Sequence, residues 1–312
     1  MADVSARETA GATGITVVVP TRNRPEFIER IVPSILANAY PNFRLIVIDQ
    51  SDTEATGVIV SRLAQQDGRL RYIRQSGTGA SRARNLGARE ATDPLVAFVD
   101  DDCVVPADWL QRIGDHFDRQ PEISMLYGQV AIPPGVEIGE NSLPLLIFER
   151  PRLLRPDRPF ELYGMSANLA VRRAFFAAMG GFDELLGVGA RLRAGEDFDF
   201  QYRAYLAGSV TAIVPDVTVD HYGLRTPRQW PHTLRDYGFG DAAFYLKHAR
   251  CGDARALGWL LNRVTKVAVR ELLLQLGIRR RPAWAPYLLG FMVGVPGSLR
   301  VGVDRRRRLY RA

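Results

Sequence analysis

The chain is poor in cysteine, shows no apolar leader and carries no glycine-rich phosphate loop behind its first strand, and each shortage removes a class of protein. Two cysteines, Cys103 and Cys251, in 312 residues are too few and too far apart for a disulfide framework or a cysteine-built zinc site. They fit a reducing, cytoplasmic compartment. No hydrophobic run precedes Ile15, so no secretory signal is expected. The first apolar run is followed by Pro20-Thr-Arg-Asn-Arg24, with no glycine to let a pyrophosphate approach the backbone. That argues against a dinucleotide-binding dehydrogenase and against a sugar nucleotidyltransferase. A Gly77-Thr-Gly79 pair does occur, but after the third strand and with Arg82 where the last glycine of the fingerprint would stand. Walker A, helix-turn-helix, zinc-finger and RNA-recognition signatures are missing too, so the formal charge of +7 and pI near 9.7 do not point to nucleic acid.

What is present is a regular alternation. Ile15–Pro20, Arg44–Asp49, Leu70–Arg74 and Leu95–Val99 read as buried strands. Between them lie helical patterns beginning at Pro25, Glu54 and Ala80, the first carrying Phe27, Ile28, Ile31, Ile35 and Leu36 inward. Such alternation predicts an α/β fold with a mostly parallel central sheet flanked by helices on both faces. The second half is less regular. Strands are expected at Ser124–Ala131, Ser166–Arg172, Val210–Val214 and Val217–Val219, and a helix at Glu196–Ala207. The Pro133–Pro159 stretch is irregular, and the glycine-rich Leu185–Gly195 stretch is expected to be mobile. Residues Met1–Gly14 are small and polar and read as a loose tail.

The most informative stretch is Leu95-Val-Ala-Phe-Val-Asp-Asp-Asp-Cys103. Three carboxylates follow directly on a buried strand, at the edge where open α/β sheets bind ligands. They repel one another unless a cation or a solvated turn relieves them. A turn that caps the next helix is the plain alternative. Oxygen ligands with few His or Cys nearby favour Mn2+ or Mg2+ over zinc.

From Arg225 onward the pattern is helical and basic, with Arg279–Arg281 and Arg305–Arg308 as clusters. Ala254–Leu276 places Leu257, Leu260, Leu261, Val264, Val267 and Ala268 on one side. Ala283–Leu299 is apolar and uncharged but broken by Pro286, Pro296 and three glycines. It reads as a membrane-surface or re-entrant segment rather than a span. Basic clusters beside apolar stretches suit an anionic membrane. The alternatives are that these helices close over a substrate or form the contact of a homo-oligomer.

Six motifs, in order, give the sequence a resemblance to the inverting family 2 glycosyltransferases, with their GT-A (Rossmann-like) fold. They are Val-Val-Val-Pro-Thr-Arg-Asn-Arg24, Val-Ile-Asp49-Gln-Ser51, Gly-Ala-Ser-Arg-Ala-Arg84-Asn85-Leu-Gly87, Asp100-Asp101-Asp102, Gly-Gly-Phe-Asp183-Glu184 and Gly-Glu196-Asp197. The resemblance covers about Ile15–His221. It implies a catalytic region at 15–224, with a nucleotide-sugar half at 15–103 and an acceptor half at 104–224, ahead of a helical, basic C-terminal region at 225–312. It also implies donor contacts from Pro20, Thr21, Arg22, Asp49, Arg82, Arg84, Asn85, Asp100 and Asp101, with Asp49 taking a pyrimidine ring N–H, so that UDP or dTDP donors are favoured. Asp100 and Asp102 become metal-side acids, and His221 a further metal ligand. Asp197 becomes the base that deprotonates the acceptor hydroxyl, with Glu196 as its substitute and Asp183 orienting the acceptor. The acceptor is expected to be a glycan or lipid-linked glycan of envelope or polysaccharide synthesis. A non-catalytic nucleotide-sugar or membrane scaffold with the same fold is the competing reading.

Overall fold

In a computed structural model the structure describes residues 12–161, 164–275 and 285–311. Most of the expected N-terminal tail and the Arg279–Arg281 cluster lie outside the described residues.

The first half alternates β1 (Ile15–Thr21), α1 (Pro25–Leu36), β2 (Phe43–Asp49), α2 (Ala55–Ala64), β3 (Leu70–Arg74), α3 (Ala80–Glu90) and β4 (Leu95–Val99). There follow β5 (Cys103–Val104), α4 (Trp109–Arg119), β6 (Ile123–Ala131), β7 (Arg152–Leu154), β8 (Asn168–Arg172), α5 (Arg173–Ala178), α6 (Glu196–Leu206) and β9 (Val210–His221). One nine-stranded sheet runs in the order β3-β2-β1-β4-β8-β6-β9-β5, with β7 on β9. Strands β3, β2, β1 and β4 pair in parallel, and β6 pairs in parallel with β9. Strand β8 opposes both of its neighbours, and β5 and β7 oppose β9.

Both faces are covered because the strands are apolar on both. Ile15, Val17 and Val19 of β1 enter the core shared with Ile28, Ile31 and Ile35 of α1 and Trp109 and Ile113 of α4. Val18 faces the opposite core, with Ala83 of α3, Phe176 of α5 and Phe200 of α6. This is the two-residue period of a strand. Strand β9 is a single run with a register shift against β6 between Gly128 and Gln129. The interruption at Pro215-Asp216, expected to separate two strands, is absorbed by that irregularity.

The C-terminal region holds α7 (Trp230–Arg250), α8 (Ala254–Gln275) and α9 (Ala285–Leu299), and then a hairpin of β10 (Gly302–Asp304) and β11 (Leu309–Arg311). It is therefore not helical throughout, and Arg305–Arg308 sits in the hairpin turn. Helix α9 crosses α7 at backbone contact. A Cβ on Gly238 would fall on the Tyr287 carbonyl, and one on Gly290 on the Arg235 carbonyl. The glycines that weaken a spanning segment thus serve helix packing, and no described helix is long and apolar enough to cross a membrane. On α8, Leu260 and Val264 pack inward whereas Leu257 and Leu261 are exposed. These four of the apolar residues expected on one side fall on two stripes, and the side chains of Val267 and Ala268 lie outside the described residues.

Helix α6 is enclosed on three sides. Phe200 and Ala204 pack on the sheet, and Tyr202 joins Leu234 and Phe244 of α7 and Tyr287 and Phe291 of α9. On the third side Lys247 of α7, fully buried, lies 2.6 Å from both Asp183 and Asp199. Asp199 also receives Arg203 at 2.8 Å and His248 at 2.9 Å, and Asp183 accepts the Tyr310 backbone N–H at 2.8 Å. Burial opposes the charge on Asp199, but Lys247 and Arg203 hold its carboxyl far below the usual range. Asp183 is thus spent within this buried network, and the expectation that it orients an acceptor is corrected.

Candidate active site

A cavity of about 690 Å3 opens where the strand order reverses between β1 and β4, the usual ligand position in such sheets. Pro20, Thr21 and Arg22 at the end of β1, Asp100–Asp102 beyond β4, Arg84 on α3, Glu196 and Asp197 at the start of α6, and His221 at the end of β9 all line it.

Each aspartate of the triplet has a cationic partner. Arg84 Nη2 donates to Asp100 Oδ1 at 2.6 Å, and Arg24 Nη1 lies 3.0 Å from both Asp101 Oδ1 and Asp102 Oδ2. Thr21 Oγ1 donates to Asp101 Oδ2 at 2.8 Å. The mutual repulsion read from the sequence is therefore relieved by arginine, and the case for a metal must rest elsewhere. The environments differ sharply. Burial pushes Asp101 up to about 6 despite Arg24. Burial acts the same way on Asp102, but His221 and Arg24 prevail and hold it near 2.

His221 supplies the independent argument. Its Nδ1 lies 3.0 Å from the Pro144 carbonyl oxygen, which can only accept. Nδ1 therefore carries the proton, and Nε2 faces Asp102 Oδ1 at 3.2 Å. A lone pair aimed at a carboxylate requires a proton or a cation between them. Without one, burial would lower the imidazole pKa, but Asp102 and the Pro144 carbonyl raise it. A Cβ on Gly223 would fall on both Asp102 Oδ2 and His221 Nε2, so glycine leaves that side of the pair open. Asp102 and His221 fit a divalent cation.

Across the cavity, Glu196 and Asp197 begin α6. A helix start favours ionised carboxyls, but burial opposes the charge on both. Glu196 is pushed up to about 7 by burial and the adjacent Asp197, against Arg84. Asp197 is likewise raised by burial, against Arg84 and Ser166. Its Oδ1 is buried without a hydrogen-bond partner. Arg84 reaches Glu196 Oε1 at 3.4 Å as well as Asp100, linking the two acidic groups.

Three expected donor residues stand away from the cavity walls. Asp49 is fully buried, with Oδ1 accepting the Ser51 N–H and Oδ2 the Tyr72 hydroxyl, each at 2.8 Å. Its neighbour Gln50 lines the cavity instead. Asn85 clamps the Phe182 backbone, with Oδ1 and Nδ2 each 2.9 Å from their partners. Arg82 folds over Gly77 towards Glu184. The Leu185–Gly195 stretch, expected to be mobile, is fastened to α3: Ala80 N–H donates to Val188 O at 2.9 Å and Ser81 Oγ to Leu186 O at 2.7 Å.

The remaining wall comes from the C-terminal helices, one of the alternatives read for that region, although its individual residues were not expected. Trp230, Tyr237 and Asp241 of α7 and Arg263 of α8 line the cavity, and Arg263 Nε lies 3.3 Å from Asp241 Oδ2. Asp241 could have been suspected as the one acid within the apolar run Gly238–Phe244.

Fold and cleft are those of the GT-A class of transferases. The mannosyltransferase PcManGT from Pyrobaculum calidifontis, solved with GDP-Man and Mn2+, superimposes with a TM-score of 0.58 at 18% identity over 92% of this chain and 86% of its own. S. aureus TarS 1–349 in complex with UDP gives 0.55 at 18% identity, over 73% and 65%. A profile described as Glycosyl transferase family 2 matches residues 16–179, just over half of the chain, and the protein belongs to that family. Glycosyltransferase GlyA of Streptococcus pneumoniae serotype 4 is 32% identical over 99 residues, which is 32% of this chain and 14% of its own. The pre-mycofactocin glycosyltransferase of Mycobacterium tuberculosis is 25% identical over 249 residues, 75% of this chain and 48% of its own. The chain spans less than half the length of these relatives.

Proposed function

We propose that this glycosyltransferase moves a sugar from a nucleotide-diphosphate donor to an acceptor hydroxyl with inversion, and that it needs Mn2+ or Mg2+ to do so. The observation that carries the reading is the buried, unpartnered Asp197 Oδ1 in the same cavity as Asp102 and His221. An inverting transfer requires one carboxylate to take the acceptor proton while the hydroxyl attacks the anomeric carbon opposite the leaving diphosphate. Asp197 is that base, its pKa raised by burial, which makes it a stronger proton acceptor than an exposed carboxylate. Arg84 holds Asp100 and Glu196 in place and opposes the rise in the Asp197 pKa. A divalent cation at Asp102 and His221 would supply positive charge to the departing diphosphate. Asp100, the most open of the triplet at 31% side-chain exposure, faces the ribose, and Arg22 lies at the phosphate side.

A uracil or thymine base is favoured, although Asp49 can meet a ring N–H only through a lone pair left over from Ser51 and Tyr72. Gln50 is the nearer reader. The α7–α8 wall receives the acceptor, with Trp230 and Tyr237 as ring surfaces for a sugar. Exposed Leu257 and Leu261 on α8 and Leu289 and Met292 on α9, with exposed Arg255, Lys266 and Arg300, suit peripheral contact with an anionic membrane. That would place the work in lipid-linked or envelope glycan synthesis.

The test is thermal melting against UDP, dTDP and GDP, each with and without Mn2+ or Mg2+, followed by nucleotide release from the matching sugar donors. Binding to the folded state raises the melting point. A metal-dependent shift kept in Asp197→Asn while turnover is abolished supports the reading. A parallel loss of binding and turnover refutes the base role.

A further inference from the structure

We infer that Cys103 completes, with Asp102 and His221, a three-ligand site for borderline-soft divalent ions, so that Zn2+ or Co2+ is held through a thiolate where Mn2+ or Mg2+ is held by oxygen and nitrogen alone. The inference rests on the metal reading of Asp102 and His221.

Strands β5 and β9 run antiparallel with Cys103 directly opposite His221, and directly opposed residues turn their side chains to the same face. Asp102 is the preceding residue, and it leaves the β4 turn with its carboxylate against His221 Nε2. One carboxylate oxygen, the Cys103 sulfur and one His221 nitrogen all lie within 4.8 Å of one another, and all three residues are buried. A buried cysteine is ordinarily a small core residue, and Cys103 does touch the main core. Cys251, the other free thiol, has no such company among the described residues. Carboxylate, imidazole and thiolate within reach of one another form the donor set of a zinc site, and Asp102 and His221 also line the cavity, from which a fourth ligand would come.

The selectivity follows from ligand softness. Mg2+ and Mn2+ prefer oxygen and do not displace a thiol proton, whereas Zn2+ and Co2+ gain most from the sulfur. On coordination the Sγ–H bond breaks, the proton leaves to the buffer and the Sγ–metal bond forms, with no change of oxidation state. Zn2+ would then occupy the donor-side metal position more tightly than the hard ion and compete with it.

The test uses the full chain and Co2+ as probe. Titration should raise a near-ultraviolet thiolate-to-cobalt charge-transfer band at one Co2+ per chain. Cys103→Ser should lose that band, keep the weaker visible bands, and bind Co2+ roughly tenfold less tightly, at the low end of what ligand-sphere changes cost. Should that variant not fold, Cys103→Ala replaces it, and the native spectrum alone already decides. Mn2+ uptake by electron paramagnetic resonance tests the shared reading. Co2+ bound with no charge-transfer band overturns the thiol ligand alone, and uptake of neither Mn2+ nor Co2+ overturns both.

Discussion

Replacing Lys247 by Met removes the ammonium that lies 2.6 Å from both Asp183 and Asp199 while keeping the length of the side chain. Breaking a buried pair from one side costs about 3–5 kcal/mol. The lower end applies here, because Asp199 keeps Arg203 and His248, and Asp183 keeps the backbone N–H groups of Leu185 and Tyr310. About 3 kcal/mol corresponds to a fall of roughly 6–12 °C in melting temperature for a domain of this order of size. The sign of the pH dependence is fixed by Asp199, whose folded pKa is depressed. Its stabilisation is present above the unfolded value near 4 and is lost as pH falls below it. The deficit of Lys247→Met should therefore be full at pH 7 and shrink as the pH drops below about 4. Adding Asp183→Asn rebalances the buried charge and should restore part of the loss. Differential scanning fluorimetry from pH 3 to 8 provides the assay. A melting temperature within about 2 °C of the native protein at pH 7 would refute the argument.

Three further outcomes follow from the site. Gly223→Ala places a methyl group on Asp102 Oδ2 and His221 Nε2 and should weaken Mn2+ binding at least roughly tenfold; an unchanged affinity in a Mn2+ titration would remove the argument for the cradle. Glu196, raised by burial and by Asp197 to about 7, costs stability as pH rises from its unfolded value near 4 through 7. Glu196→Gln should accordingly gain more in melting temperature over the native protein at pH 8 than at pH 5, and equal gains would show that burial does not shift this carboxyl. Leu257→Glu with Leu261→Glu, both on exposed positions of α8, should abolish sedimentation with phosphatidylglycerol vesicles without lowering the melting temperature. Undiminished sedimentation would end the membrane reading.

The parallel half of the sheet was legible because its strands are short apolar runs separated by one helical pattern each, a local signal that packing had no reason to overturn. The acid triplet was legible for the same reason: charge directly behind a buried strand is visible without a partner. What the partners do was not. That Arg24 neutralises Asp101 and Asp102 depends on two chain segments 77 and 78 residues apart, and the sequence offered a metal in its place. The glycine-rich stretch after Leu185 read as mobile because composition shows chain freedom but not the hydrogen bonds from α3 that remove it. The α7–α8 wall was legible only as helices that could close over a substrate, and its residues were not, for a related reason. Trp230, Tyr237 and Arg263 sit in ordinary amphipathic helices, and only the crossing of α7 with α9 turns them towards the cavity. The burial of Glu196 and Asp197, which raises both carboxyls, is likewise not written in their neighbours along the chain.

The bond from the Tyr310 backbone to Asp183 spans 127 residues, and the one from Lys247 spans 64. The ribosome delivers the chain in that order at roughly 5–20 residues per second. The strands of the first half can pair as they emerge, while Asp183 waits about 6–25 s for Tyr310, its last partner, at that speed. An unfinished chain thus carries the cavity residues of the first half before Asp183, beneath α6, has its last partner.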